Sequence, residues 1–239
     1  MQCLIVAAGK GLRLRKRGPS KPLVELAGKP LIGHVMENAI AGGIRDFVIV
    51  TGYEATVLDA YLKGFAENHD VNIETVYNPD YEKPNGLSVA AARDVLGKRF
   101  LLSMCDHLMD PEMVRIMAGQ AIKDDEVLLG TDRRVDNPLV DLEDVTRVLT
   151  DGTYIKSIGK VMAAYNCFDT GLFLSSHALI EAILLSGKKN KDYGISGGMM
   201  MLAARDKALC HDLSGFDWID VDSPEMFALA EQHLAKKGS

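Results

Sequence analysis

The sequence predicts an α/β protein built on a doubly wound, mostly parallel sheet. Short, continuously apolar runs recur through the first half of the chain, and segments with helical periodicity separate them. Strands that are apolar on both faces and alternate with helices are typical of parallel sheets covered on both sides. After about residue 131 the pattern becomes polar and alternating, which predicts an antiparallel hairpin or lid in the second half.

The first half is predicted to contain five strands with helices between them. The strands are expected at residues 2–8, 46–51, 71–77, 99–105 and 126–131. Apolar residues recur at helical spacing from Leu31 to Ile40, and further helices are expected at residues 54–67, 86–96 and 111–122. Pro30 suits the first position of the first helix, because the N–H that proline lacks would be unpaired there in any case.

The second half is predicted to open with a hairpin of residues 145–149 and 154–158, joined by Asp151-Gly152. A strand at 166–174 precedes a helix that begins near Ser176, and short strands follow at 209–213 and 218–221. Ser223 and Pro224 suit the N-cap and first position of a C-terminal helix. With no repeat and no low-complexity linker, residues 1–239 are expected to form one domain with halves 1–131 and 132–239.

The composition is that of an ordinary globular protein: 47% hydrophobic and 25% charged residues, with a net charge of −6. Disordered and fibrous classes are excluded, and the acidic balance argues against nucleic-acid binding. No run approaches the roughly 18 apolar residues of a bilayer span, and the N-terminus lacks the basic region of a signal peptide. Four widely spaced cysteines without a C-x-x-C pair predict reduced thiols, no zinc and a cytoplasmic location.

A glycine-rich basic loop follows the first strand. Six basic and no acidic residues lie between Lys10 and Lys21, and glycines at this position let backbone N–H groups approach phosphate oxygens. The loop is not a P-loop, since Gly28-Lys29 is followed by Pro30. It is not a dinucleotide-binding turn either, because position 14 is leucine. From the residues alone, the alternative to a phosphate-binding loop is a basic loop that is simply exposed to solvent.

The pattern A-A-G-x-G-x-R-x(7)-K-P in this loop resembles the nucleotidyltransferases that join an NTP to a phosphorylated sugar, polyol or choline. The resemblance implies a Rossmann-like nucleotidyltransferase fold, with 1–131 as the nucleotide-binding half and 132–239 as the acceptor-binding half and lid. It also implies catalytic roles for Arg13 and Lys21, which would neutralise the reacting phosphates. The residues that it implies in nucleotide binding here are Ala7, Ala8, Gly9, Gly11, Arg13 and Lys21.

Two aspartates are expected to hold Mg²⁺, which triphosphate chemistry requires and which favours carboxylate ligands. Asp106 follows a central strand, where open α/β sheets place their ligands. The family resemblance implies Asp106, with a catalytic role, and Asp220 of Trp218-x-Asp220 as the metal ligands. Asp222 is the weaker choice, and capping of the next helix remains its alternative. His107 is expected to shape the site.

The residues expected to recognise the nucleotide base or ribose lie between the third strand and the next helix. Asn78, Asn85, Gly86 and Ser88 offer amide, hydroxyl and close backbone contacts. The Asn-Gly-x-Ser segment resembles cytidylyltransferases, which implies CTP as the donor. A simple turn and helix cap at residues 85–86 is the alternative.

Residues 103–111, 140–148 and 166–173 resemble inositol-1-phosphate cytidylyltransferases. The resemblance implies transfer of a cytidylyl group from CTP to inositol 1-phosphate, with CDP-inositol and pyrophosphate as products. Lys160 would hold the acceptor phosphate, although an exposed strand-end lysine is equally compatible with the sequence. Asp141 and Asp169 would hydrogen-bond the polyol, and residues 193–198 would close over it.

Two other functions remain open from the sequence. One is a choline-phosphate or sugar-phosphate nucleotidylyltransferase, and the other is a non-catalytic nucleotide-binding regulatory module. Family members are often fused to a membrane-embedded alcohol phosphatidyltransferase and use CDP-inositol to make an osmolyte. The end of this sequence at residue 239 predicts a stand-alone form that works with a separate membrane CDP-alcohol phosphatidyltransferase. A homodimer is left open.

Overall fold

A nine-stranded sheet runs through the computed structural model, which describes residues 1–18 and 20–237. The strands are β1 (Gln2–Val6), β2 (Glu25–Leu26), β3 (Lys29–Pro30), β4 (Asp46–Thr51), β5 (Asn72–Tyr77), β6 (Arg99–Met104), β7 (His107–Met109), β8 (Val127–Asp132), β9 (Arg147–Asp151), β10 (Tyr154–Gly159), β11 (Cys167–Ser176), β12 (Ala208–Asp212) and β13 (Trp218–Asp220). The helices are α1 (Leu31–Ala41), α2 (Ala55–His69), α3 (Gly86–Ala91), α4 (Pro111–Ala118), α5 (His177–Asn190), α6 (Ile195–Ala203) and α7 (Pro224–Lys237). Two 3₁₀ helices, Leu12–Arg17 and Lys21–Leu23, follow β1.

Four strands of the first half form a parallel block in the order β5-β4-β1-β6. The predicted α/β architecture is confirmed here. Central strands β1 and β6 are almost wholly apolar and buried on both faces, as expected for strands covered by helices on both sides. Their carboxyl ends lie at one edge of the sheet, so the segments that follow Val6 and Met104 emerge beside each other.

The second half makes the sheet mixed. β11 lies antiparallel between β6 and β8, and the order continues through β12, β10 and β9. The predicted hairpin is present as β9 and β10, with Gly152 in the left-handed region at its turn. Because β9 also pairs with β11, the strands of this half close on themselves. The pairing of β9 with two partners arises from contacts distant in sequence, which periodicity does not report.

Helices cover both faces of the sheet and enclose two large apolar cores. Residues of α1, α2 and α4 pack on one face, and residues of α3, α5 and α6 pack on the other. Met199 is fully buried on α6, so core packing is the role of at least this part of the Met199–Met201 run. All four cysteines are buried and free. Among the helices within residues 1–18 and 20–237, none is both long enough and apolar enough to cross a membrane.

Several helix ends differ from the sequence expectation, and α2, expected at 54–67, runs from Ala55 to His69. Pro30 pairs with Glu25 between β3 and β2 and occupies the N-cap, so α1 begins one residue later at Leu31. α3 ends at Ala91 because the next N–H groups bond to the carbonyl three residues back, as Ala92 does to Val89 and Arg93 to Ala90. α4 ends at Ala118, before Gly119. The C-terminal helix begins as expected, with the Ser223 hydroxyl accepting a hydrogen bond from the Met226 N–H at 3.2 Å.

A two-stranded ribbon outside the large sheet brings together two distant segments. β7 pairs antiparallel with β13, and His107 lies opposite Asp220. The Val221 N–H also donates to the Asp106 carbonyl at 3.0 Å. These pairings carry the residues after β6 and the C-terminal part of the chain to the same edge of the sheet.

Candidate active site

A cavity of about 400 Å³ opens where β1 and β6 end, the position at which open α/β sheets bind ligands. Ten of the residues predicted from the sequence line it: Gly9, Gly11, Lys21, Asn85, Ser88, Asp106, Asp141, Lys160, Asp169 and Asp220. Arg13 lines an adjoining recess, which Gly11, Lys21 and Asp222 share. Ala7, Ala8, Asn78 and Gly86 lie behind these surfaces and are buried.

The glycine-rich loop places Lys21 at the floor of the cavity. Gly11 has φ +57° and caps the first 3₁₀ helix, and Lys21 begins the second. A Cβ atom on Gly11 would lie 2.2 Å from the Lys21 Cβ. Gly11 therefore meets two requirements at once, a left-handed backbone and room for the lysine stem. Nothing lies within 4 Å of the corresponding position at Gly9, which leaves that backbone open toward the cavity.

The substitution Gly11→Ala is expected to reduce activity by at least tenfold, because the new methyl group displaces the Lys21 stem. The left-handed backbone adds a cost of about 1–2 kcal/mol to the free energy of folding. Gly28→Ala is the matched control, since Gly28 has φ +79° but nothing within 4 Å of its Cβ position. Turnover and thermal unfolding of both variants test this, and equal activity losses in the two would contradict it.

Asp106 lies at the centre of a compact charged cluster. Its Oδ2 atom forms an ion pair with Lys21 Nζ, and its Oδ1 atom accepts a hydrogen bond from His107 Nδ1 at 2.9 Å. Burial alone would raise the pKa of Asp106, but Lys21 and His107 hold it well below its usual range. Burial opposes the charge on Lys21 as well, yet Asp106 and Asp220 raise the pKa of Lys21. Both groups are therefore ionised at neutral pH.

Asp106, His107 and Asp220 have the donor set of a divalent cation site. One ligand atom from each lies within 4.8 Å of the others. The Asp220 Oδ1 atom is buried and has no hydrogen-bond partner within residues 1–18 and 20–237, so one of its lone pairs is available. Carboxylate oxygens with room for waters suit Mg²⁺. The residues fit the metal that the sequence predicts.

His107 is held on several sides. Its ring stacks on Trp218, with centroids 6.2 Å apart, and its Nδ1 lies 3.6 Å from Asp220 Oδ1. A Cβ atom on Gly171, which has φ +76°, would lie 2.4 Å from His107 Cδ2, so the ring packs directly on that backbone. Burial disfavours the imidazolium, but Asp220 and Asp106 raise the pKa of His107 to about 9. This environment is compatible with the expectation that His107 shapes the site. It does not suit a general base, because an imidazole that is protonated at neutral pH cannot accept a proton.

Arg13 and Lys160 converge on one carboxylate that sequence reasoning did not assign to the site. Asp144 forms two ion pairs: its Oδ2 lies 2.8 Å from Arg13 Nη2, and its Oδ1 pairs with Lys160 Nζ. Burial would raise the pKa of Asp144, but Lys160 and Arg13 hold it below its usual range. Asp144 lies three residues after Asp141 in a stretch rich in acidic residues, and no local signal distinguishes it from Glu143.

Asp222 also contacts Arg13, which corrects the alternative that it caps the C-terminal helix. The residue that caps this helix is Ser223. β13 ends at Asp220, so Asp222 lies outside the strand and its side chain pairs with Arg13. The Asp222 side chain is only 7% exposed. Burial, together with Asp220 and Asp144, raises the pKa of Asp222 to about 7.

On the opposite wall, a hydrogen-bond chain orients two predicted base-recognition residues. Asn78 accepts from the Asp80 N–H at 2.9 Å and donates through Nδ2 to Ser88 Oγ, also at 2.9 Å. Asn85 Oδ1 accepts from the Ile195 N–H at 3.2 Å. Gly86 packs against Tyr193 and Ile183, so its role is close packing. Tyr81 and Lys83, missed by sequence reasoning, also line this wall, because polar residues in a turn carry no distinctive pattern.

The lid side of the cavity contains the predicted acceptor residues. Asp169 Oδ1 accepts from the Gly171 N–H at 2.7 Å, and burial raises the pKa of Asp169 to about 6. Asp141 Oδ1 accepts from the Glu143 N–H at 2.9 Å. Of residues 193–198, Ile195 and Ser196 line the cavity, and Tyr193 packs on Gly187.

Residues 3–165 match the family model of the MobA-like NTP transferase domain. The chain belongs to this family. It is therefore a nucleotidyltransferase, as the basic loop and the aspartates predict, and both the predicted fold and the family resemblance are confirmed. The matched residues include the loop after β1, in which Gly9, Gly11 and Lys21 line the cavity.

Two relatives of this MobA-like chain are each named bifunctional IPC transferase and DIPP synthase. The protein from Rubrobacter xylanophilus is 32% identical over 230 residues, which cover 95% of this chain and 50% of the relative. The protein from Aquifex aeolicus is 28% identical over 236 residues, covering 98% of this chain and 51% of the relative. The chain thus spans about half the length of these relatives.

The inositol-1-phosphate CTP transferase from T. maritima has the same fold. The TM-score is 0.83 with 23% identity, and the match covers 97% of this chain and 95% of that one. At this level of identity the likeness establishes the architecture of the MobA-like domain.

Proposed function

We propose that this protein transfers a cytidylyl group from CTP to inositol 1-phosphate, releasing CDP-inositol and pyrophosphate. The observation that carries this is the convergence of Lys21, Asp106 and Asp220 beneath a glycine-rich loop in one cavity. The names of the Rubrobacter relative and of the T. maritima structure support an inositol phosphate acceptor and CTP as the donor.

The polarity of the base wall supports CTP. Asn85 uses its Oδ1 on the Ile195 N–H, so its amide NH₂ is the group left to donate into the cavity. Ser88 Oγ already accepts from Asn78, so its hydroxyl proton is also available to donate. Cytosine offers two adjacent acceptors, O2 and N3. Uracil carries an N–H at its N3, so two hydrogen-bond donors that fit O2 and N3 of cytosine would repel the corresponding edge of uracil.

The protein residues would act by positioning and charge neutralisation. Arg13 and Lys21 would bind the triphosphate oxygens, where charge grows as the acceptor oxygen attacks the α-phosphorus and pyrophosphate leaves. Lys160 would bind the acceptor phosphate, which is ionised near pH 7 and needs no base. Asp106 and Asp220, with His107 beside them, would hold Mg²⁺, which supplies Lewis-acid stabilisation of phosphate charge when bound.

Each of these three cations has a carboxylate partner within the protein. Lys21 pairs with Asp106, and both Arg13 and Lys160 pair with Asp144. Substrate phosphates would compete with these carboxylates, so the cations are held in place before substrate arrives. Asp169 and Asp141 remain on the lid side as acceptors for polyol hydroxyl groups.

The decisive experiment is a matrix of donors and acceptors. The protein is incubated with Mg²⁺, each of the four NTPs and, in turn, inositol 1-phosphate, choline phosphate and sugar 1-phosphates, and pyrophosphate release is measured. CTP with inositol 1-phosphate is expected to be the fastest pair by at least tenfold. A faster choline or sugar phosphate identifies the alternative transferase, and nucleotide binding without any turnover identifies a regulatory module.

We also propose a cytoplasmic location, where the four reduced cysteines would persist, and cooperation with a membrane CDP-alcohol phosphatidyltransferase. The relatives are named for two activities, which supports cooperation with a second enzymatic activity. CDP-inositol is an activated alcohol, so an enzyme that consumes it must transfer its phosphoinositol group to another hydroxyl.

A further inference from the structure

A buried carboxylate outside the cavity binds both the turn that directly follows it and a distant strand. Asp132, the last residue of β8, is fully buried. Its Oδ1 accepts from Arg134 N at 2.9 Å and Arg134 Nε at 3.0 Å. Its Oδ2 accepts from Arg134 Nη2 at 3.0 Å, Asn137 Nδ2 at 2.8 Å and Trp218 Nε1 at 2.9 Å. Five donors on one carboxylate satisfy its charge, and burial alone would raise the pKa of Asp132, but these donors, led by Arg134, hold it below its usual range.

The Trp218 bond connects Asp132 to the charged cluster. Trp218 is 2% exposed and begins β13, the strand that ends at Asp220. Its ring stacks on His107, which in turn donates to Asp106. The orientation of the indole therefore affects the position of Asp220, through strand β13, and the position of His107, through the stacked ring.

The Asn137 bond connects Asp132 to the lid side of the cavity. Asn137 is 3% exposed, and its Oδ1 accepts from the Leu139 N–H at 3.0 Å. The Val140 N–H then donates to the Asn137 carbonyl at 3.2 Å. Val140 and Asp141 line the cavity directly after this anchored turn.

We propose that Asp132 is a positioning residue for the cation site, acting through Trp218. It does not line the cavity, so it has no direct contact with substrate. A carboxylate that orients the groups around a metal typically changes metal affinity by about 10–100-fold when it is removed. This inference rests on the metal site of the proposed function, and its test does not require turnover.

The test measures Mn²⁺ binding by calorimetry in the wild-type protein, Asp132→Asn, Trp218→Phe and the double variant. Each single variant is expected to weaken Mn²⁺ binding by about tenfold or more. The double variant should bind Mn²⁺ about as tightly as the single variant with the lower affinity, because both substitutions disrupt the same hydrogen bond. Trp218→Phe keeps an aromatic ring in the stack, so it tests the same bond should Asp132→Asn fail to fold.

Asp212→Asn is the matched control, since Asp212 ends the neighbouring strand β12, is about half exposed and lies 3.3 Å from Arg133 Nε. Its Mn²⁺ affinity should remain within twofold of wild type. Trp218 is the only tryptophan in the sequence, so its quenching by bound Mn²⁺ provides a second, spectroscopic titration for the wild type, Asp132→Asn and Asp212→Asn. Additive losses, unchanged affinity in both single variants, or no Mn²⁺ binding by wild type would overturn the proposal. Absent transfer activity with these affinity changes intact would instead count against the proposed reaction alone.

Discussion

Asp106→Asn is expected to lower kcat by about three orders of magnitude, equivalent to about 4 kcal/mol of lost transition-state stabilisation. The substitution keeps the size of the side chain but removes the charge that faces Lys21 and His107. A neutral amide is a poor ligand for Mg²⁺, so the cation site would lose one of its two carboxylates. Pyrophosphate release with saturating CTP and inositol 1-phosphate measures the effect.

Folding must be followed in parallel, because Asp106 is one half of a buried ion pair. Loss of the carboxylate leaves Lys21 without its partner, which predicts a lower melting temperature without loss of the folded state. Asp94→Asn, which neutralises an exposed aspartate after α3, should change neither kcat nor stability appreciably. Near-wild-type turnover in Asp106→Asn would rule out the proposed role of Asp106.

The parts of the site that were predictable depend on short stretches of sequence. The loop with Gly9, Gly11 and Lys21 directly follows β1, and Asp106 directly follows β6. Parallel neighbouring strands bring such segments to the same edge, so strand assignment alone predicts that the loop and the aspartate meet. Asp220 needed the family pattern as well, because β13 joins β7 only through a ribbon outside the main sheet.

The unpredicted parts depend on contacts between segments far apart in the chain. Asp144 joins Arg13 from the first half to Lys160 from the hairpin, and these partners lie 131 and 16 residues away in sequence. Asp132 is likewise recognisable only once Trp218 is placed beside it, 86 residues further along. The antiparallel insertion of β11 beside β6 creates these proximities, and hydrophobic periodicity contains no information about strand order.

The structure also shows that the basic residues of the loop after β1 have different surroundings, which the charge pattern does not reveal. Six basic residues between Lys10 and Lys21 suggested a uniform cationic loop. Instead, Lys10 pairs with exposed Glu82, Arg17 lies 3.9 Å from the Phe227 ring centroid, and Lys21 is largely buried beside Asp106. The loop therefore contributes distinct single cations to distinct places, a division that net charge cannot show.

Lys21→Gln is expected to reduce kcat by about 10²–10³-fold, the effect typical of removing one charge-stabilising group from a transition state. Lys21 is a largely buried cation beside the proposed metal site, and its ammonium already contacts Asp106. Stability should fall too, by about 3 kcal/mol, the lower end of the cost of breaking a buried pair, because His107 remains beside Asp106.

A double-mutant cycle separates the structural role of Lys21 from its role in catalysis. Asp106→Asn with Lys21→Gln should be less destabilised than the sum of the single variants, because neither charge is then left unpaired. Activity should not recover in the double variant, since both groups are needed on the substrate. Lys16→Gln, an exposed cation in the same loop, is the control and should retain near-wild-type kcat. Recovery of turnover in the double variant would show that Lys21 serves only to neutralise Asp106.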